Sequence, residues 1–199
     1  MRELIRWPAS LGFGVALAVA LAVSVSQMDS QNPATQPEAN PDALVLVDFQ
    51  KRIDQYMEMH KDVEKGSAEQ QETSDPAQIR QAQVNLAERL RAARRDARPG
   101  DIFTPQVRAM FRRLMYPELK GKHGRETKAE IKEDAPAAIA LKVNASYPEG
   151  QPLPTMPPNL LETLPHLPED LEYRVVDKHL ILRDVDANII VDYIPSAIR

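Results

Sequence analysis

Seven prolines fall between Pro148 and Pro168, and the apolar pattern differs on the two sides of them. Before this stretch the apolar residues recur every three or four positions, the period of a helix buried on one face. After it they alternate, the period of a strand. A chain written this way cannot interleave helices and strands into a parallel sheet. It predicts an α+β fold: helices first, a proline-rich strap, then a small antiparallel meander. A three-stranded meander is too small to stand alone, so it must pack on the helices or on the strap.

The first helix is predicted over Asp42 to Lys65, with Asn40-Pro41 as cap and first-turn proline and Gly66 as stop. Its stripe is Leu46, Phe49, Ile53, Tyr56, His60 and Val63. That heptad-like spacing implies a helix roughly 35 Å long packed along a partner helix, in this chain or in another. A second helix opens at Asp75-Pro76, with Ile79, Ala82, Leu86, Leu90, Ala93 and Ala97 on its stripe. A third opens at Thr104-Pro105 and ends before Pro117, with Val107, Met110, Phe111, Leu114 and Met115 on one face. A weaker fourth helix covers Glu126 to Glu133. Ile139, Leu141 and Val143 alternate as in a strand, and Pro158 to Leu161 makes a helical turn within the strap. The meander strands are Leu171 to Val176, His179 to Val185 and Ile189 to Ile194, joined by turns at Asp177-Lys178 and Asp186-Ala187-Asn188.

The N-terminus bears on location. Arg2 and Arg6 precede an apolar run, Leu11 to Val25, and small residues at Ala20, Ala22, Ser24 and Ser26 offer cleavage sites. These are the parts of a secretory signal peptide over residues 1–26, and they predict a periplasmic or secreted protein. The alternative is an inner-membrane anchor over residues 7–28, a charge-free stretch near the roughly 20 residues a spanning helix needs. Residues 27–41 lack apolar periodicity and read as a disordered spacer. The helical region then spans 42–134, and the strap and meander 135–199. With no cysteine, the chain has neither a disulfide framework nor a site for lipid attachment.

No motif names a reaction. Asp184-Val185-Asp186-Ala187-Asn188 opens like a calcium loop, but Ile189 replaces the sharp-turn glycine and Pro195 the closing carboxylate. A hairpin turn explains the same residues. Met57, His60 and Glu64 are weak metal candidates: thioether, imidazole and carboxylate suit copper or zinc, but no further ligand lies at useful spacing. His123, His166 and His179 are scattered singly. There is no nucleophile elbow and no phosphate-binding glycine loop. No cofactor is implied. From Ile79 to Lys132 the chain carries +8, against −4 overall. Such a basic segment either steers an anionic partner, such as a lipid surface, or is a solvated face. Export, the acidic total and the absence of aromatics around Arg89 to Arg98 speak against nucleic acid.

Several blocks resemble a family of exported bacterial proteins of about this length: Val47 to Tyr56, Gly100 to Pro105, Leu161 to Leu167, Leu171 to Val176 and Ile189 to Asp192. The resemblance implies export and these fold boundaries, and brings no activity with it. Tyr173-Arg174 and the run Leu180 to Ile194 are similar to the β-hairpin of periplasmic nickel/cobalt-homeostasis proteins. Thr104-Pro105-Gln106 is similar to a helix-start motif of periplasmic stress chaperones, with Phe103 in place of the usual Leu. The expectation is a non-enzymatic envelope protein that binds a partner or itself through the stripe Leu46, Phe49, Ile53, Tyr56, His60, Val63. The alternatives are a periplasmic chaperone or metal-stress protein, and a hydrolase with a site assembled from distant residues.

Overall fold

The computed structural model describes residues 40–66, 74–133, 139–148 and 150–198. The expected leader, and the spacer up to residue 39, lie outside them. Among the described residues, no helix is long and apolar enough to cross a membrane.

The helices start where the caps stand. In α1 (Pro41–Lys65) the Asn40 side chain accepts from the Asp42 N–H at 3.0 Å. In α2 (Pro76–Ala93) Asp75 accepts from Ala77 at 2.9 Å, and in α3 (Pro105–Met115) Thr104 accepts from Val107 at 3.3 Å. Each is a short polar residue before a first-turn proline, so orphan N–H groups are satisfied locally. The helix α4 (Gly121–Glu133) begins five residues earlier than expected. Within it Gly124 is needed where it stands. A Cβ there would overlap the Leu119 backbone in the 3₁₀ turn Pro117–Leu119. A one-turn helix, α5 (Pro158–Leu161), sits in the strap as expected.

The strands are β1 (Leu171–Val176), β2 (His179–Asp184) and β3 (Ile189–Ile194), an antiparallel meander in that order. The strand expected at Ile139 to Val143 does not form. Backbone pairing with β3 comes later, where Asn144 donates to Ile190 at 2.8 Å, Ile190 to Ala145 at 2.9 Å and Tyr147 to Asn188 at 3.0 Å. The alternation there reports burial instead: Ile139 and Leu141 pack on a small apolar cluster formed by Tyr147, Val176, Ile181 and Ile190 on one sheet face.

The other face meets the helices. Leu171, Tyr173, Val175, Leu180, Leu182 and Ile194 join the residues of α1, α2 and α3 in one core. At its centre Phe49, Phe103 and Phe111 pack with ring centroids 5.1 to 6.2 Å apart, and Phe111 meets Tyr173 edge-on at 6.0 Å. One irregularity shapes everything near it. Leu182 pairs with Asp192 but Arg183 pairs with Ile190, so Val191 is an extra residue in β3. This bulge turns Asp192 toward the helices, where strict alternation would have turned it away with Ile190.

Candidate functional site

Two places collect polar side chains. The first is a buried seam between the helices and the sheet. Asp184, fully buried at the end of β2, accepts from the Tyr56 hydroxyl at 2.6 Å and from the Ala187 N–H at 2.7 Å. The His60 Nε2 lies 3.3 Å from Asp184 Oδ2, but its direction does not make a hydrogen bond. Burial pushes the Tyr56 phenol far above its ordinary value, and the neighbouring Asp184 charge adds to the effect. The Arg94 guanidinium lies 5.0 Å from the Tyr56 ring centroid. It donates to Asn144 Oδ1 at 2.7 Å and to the Val191 carbonyl at 3.0 Å, and burial lowers its pKa. Asp192, also fully buried, accepts from the N–H groups of Gly100, Ile102 and Phe103 at 2.8 to 3.1 Å. Gly100 holds φ at 103°, and a Cβ there would press on Arg108. The α2–α3 loop is thus wrapped around one carboxylate carried by the bulge.

Tyrosine, histidine, aspartate and arginine could make an acid–base site, but here the tyrosine, the aspartates and the arginine are bonded within the fold, and the His60 Nε2 is buried against Asp184 without a hydrogen bond. Tyr56 and Asp184 are bonded to each other, and Asp192 to four backbone amides, those of Gly100, Ile102, Phe103 and Tyr193. The opening beside Tyr56 and Arg94 is a shallow depression. The seam is a joint.

The sequence-derived residues fall mostly inside this joint. Phe49, Ile53, Tyr56 and His60 are buried in this chain's own core. That corrects the expectation that the stripe forms a partner surface, because the sheet and α3 already cover its middle. Only its ends remain accessible, with Leu46 exposed and Val63 half-buried. Met57 and His60 are buried while Glu64 is exposed. Among the described residues, no three histidine or acidic side chains are placed to hold a metal. Asp184 to Asn188 is a hairpin turn with Asn188 at φ 49°, and its side-chain oxygen accepts from Arg183 at 3.0 Å. The basic segment is in part internal stapling. Arg91, Arg94, Arg108 and Arg112 each donate to a backbone carbonyl, reaching Asn144, Val191, Phe103 and Pro195.

The second place is a cleft of about 460 Å³ between the strap and β1. Its lining is mainly apolar, with Met156, Leu161, Leu164, Leu167, Leu171 and Tyr173, and Glu162 and His166 stand exposed at its rim. The volume is within the range of ligand sites. The strap is held here by side chains: the Tyr173 hydroxyl donates to Pro165 O at 3.2 Å and Arg174 to Pro154 O at 3.3 Å. Glu172 bridges Arg174 at 2.5 Å and Arg183 at 2.6 Å. Burial alone would raise the Glu172 carboxyl, but the two guanidiniums outweigh it and hold it below the ordinary carboxylate value.

Hydrogen-bond register decides what β1 offers the cleft. The two-residue turn after Val176 makes Val176 and His179 a hydrogen-bonded pair. Glu172, Arg174 and Val176 therefore point their backbone groups at β2, and Leu171, Tyr173 and Val175, all three buried, point theirs away from it. Leu171 N–H is taken by Pro168 O at 3.0 Å. Tyr173 N–H and C=O have no backbone partner among the described residues. Sequence reasoning read the strap as extended and β1 as a strand, but had no signal for the space between them. In comparisons with known proteins, no family model, no curated protein and no solved structure matches this chain.

Proposed function

We propose that this is an exported, non-enzymatic envelope protein that works by binding another polypeptide, and that the strap–β1 cleft is its binding surface. One observation carries the reading: a mainly apolar cleft of about 460 Å³ lies between the strap and β1, with Leu161 exposed on it. Apolar concavities with a few polar groups at the rim are the usual form of a binding site. The seam supports the same view from the other side. Its tyrosine and carboxylates are bonded within the fold and its histidine is buried, so they form a rigid platform. Export rests on the leader features of residues 1–26, with the membrane anchor over 7–28 as the alternative. The partner is an envelope protein or a second copy of this chain.

Photo-crosslinking in the producing cell tests this. A benzoylphenylalanine at Leu161, on the cleft, should give one discrete adduct, and the same probe at exposed Lys51 on α1 should not. Equal or absent adducts at both positions would sink the reading. The mass and N-terminus of the recovered protein decide location: a start near residue 27 in the soluble periplasm means a free protein, and an intact start in membranes means an anchored one.

A further inference from the structure

We infer that the cleft takes the C-terminus of its partner, with the free α-carboxylate at the Arg174 guanidinium and an apolar last side chain beside Leu164 and Leu167; this rests on the proposed function above. Glu172 is shared between Arg174 and Arg183, so the cluster sets one negative charge against two positive ones. Arg174 lines the cleft, and 26% of its side chain is exposed, which gives an anion an approach. Its Nη1 donates to Pro154 O and its Nη2 to Glu172, while its buried Nε has no hydrogen-bond partner among the described residues. A buried donor without an acceptor is costly, and a carboxylate is the acceptor whose two oxygens suit a guanidinium. Glu162 also lines the cleft, but it stands exposed at the rim, where water and salt screen it.

Size and charge together select a chain end. A volume of about 460 Å³ lies toward the small end of ligand sites, roughly 300 to 1,000 Å³, with room for a few residues and not for a long run. Of the two ends of a polypeptide, the α-carboxyl is negative near neutral pH and the α-amino group carries positive charge. The excess charge at Arg174 therefore accepts the first and repels the second. The lining fixes the last side chain: Met156, Leu161, Leu164 and Leu167 present apolar surface, and Leu161 is 47% exposed. An apolar side chain laid there leaves water together with the leucine it covers. Pro154, Pro157, Pro158 and Pro165 restrict the strap, so little conformational freedom is lost when a ligand enters. Capture of a chain end by its carboxylate is a recurrent way of recognising a polypeptide.

The test uses the full chain and the peptide Gly-Ser-Thr-Ser-Leu, labelled at its N-terminus with an uncharged dye and free at its C-terminus, read by fluorescence anisotropy. Two changes are made in the peptide, a C-terminal amide and Leu to Ser, and two in the protein, Glu172→Gln and Arg174→Gln. The inference expects saturable binding, weakened about tenfold by the amide and about tenfold by the loss of the Leu. Glu172→Gln releases Arg174 from its bridge, so it should tighten the free acid about threefold and leave the amide unchanged. Arg174→Gln should make acid and amide bind equally; where that variant does not fold, amidation and Glu172→Gln decide. Equal binding of acid and amide by the unaltered protein overturns the carboxylate capture and leaves the polypeptide-binding function standing. The capture also falls, with the function intact, if the peptide does not bind while the Leu161 crosslink forms in cells. Saturable binding of dodecanoate with none of the peptide overturns the inference in favour of an acyl ligand. Failure of both peptide and crosslink overturns the inference and the function together.

Discussion

The seam and the cleft are built from similar parts and finished differently. In the seam, Asp184 and Asp192 are fully buried, and between them they take a phenol and five backbone amides. In the cleft, the strap meets β1 through two side-chain bonds to proline carbonyls and the Leu171 N–H to Pro168 O, and a mainly apolar space stays open between them. Burying a polar group is tolerable only when it is bonded, so a closed seam fixes the relative position of helices and sheet. An apolar cleft has the opposite property, because its lining gains by being covered. A single chain can therefore hold a rigid joint and a receptive cleft beside one small meander. The joint is made by side chains that reach across the sheet face, and the cleft by apolar side chains of the strap and β1 that do not meet.

Breaking the joint should cost the most. Asp192→Ala removes the acceptor shared by Gly100, Ile102 and Phe103 and leaves their N–H groups buried. The loss should be about 3 kcal/mol or more, seen as a lower urea midpoint. A shift of a few tenths would mean that water or a loop rearrangement replaces the carboxylate. Tyr56→Phe is milder. It takes one hydrogen bond from Asp184 Oδ2 and leaves that oxygen buried beside His60, with an expected loss of about 2 kcal/mol. If Tyr56→Phe matched wild type, Asp184 would not need the phenol and the seam would be looser than its geometry.

How much of this was legible in the sequence differs between the same two regions. Helix starts were legible because Asn40-Pro41, Asp75-Pro76 and Thr104-Pro105 bring cap and first-turn proline together, and capping is local chemistry. The meander was legible because its turns are short and its strands alternate. The bulge at Val191 was not. Ile189, Ile190 and Val191 are all apolar, so nothing local says that one of them is extra and that Asp192 faces inward. Arg94 reaching Val191 spans 97 positions, and no periodicity encodes such a contact. The middle of the α1 stripe was found, though Met57 was left out of it and Leu46 proves exposed; a heptad pattern does not say which chain covers it, and here the chain covers its own. The cleft is a space between two correctly placed elements, and a sequence pattern specifies elements without specifying the gap between them.

On the cleft side the effects should be smaller and more local. Tyr173→Phe removes the phenol from Pro165 O, an acceptor that water in the cleft can reach. The expected cost is about 0.5 to 1 kcal/mol. Hydrogen exchange should quicken at the Leu164 and Leu167 amides and stay unchanged at Ile102 and Phe103 in the seam. Faster exchange in both places would show that the two regions are one cooperative unit, with no contrast between joint and cleft.

The smallest effect concerns acid, and it isolates the ion bridge that flanks the cleft. Glu172 has a folded-state pKa held below its ordinary value, so its charged form is favoured by folding. Its contribution is present above the unfolded value of roughly 4.3 and is lost as pH falls through the lower folded value. Glu172→Gln should therefore lower the urea midpoint relative to wild type at pH 7, and the difference should shrink below roughly pH 4.3 and vanish in stronger acid. The partners set the sign: Arg174 and Arg183 stay charged across this range, so only the carboxyl titrates. A difference that grew on acidification would require Glu172 to be stabilised in its protonated form, and Arg174 would then be free to reach into the cleft. A difference independent of pH would mean that the bridge positions β1 and β2 by shape alone.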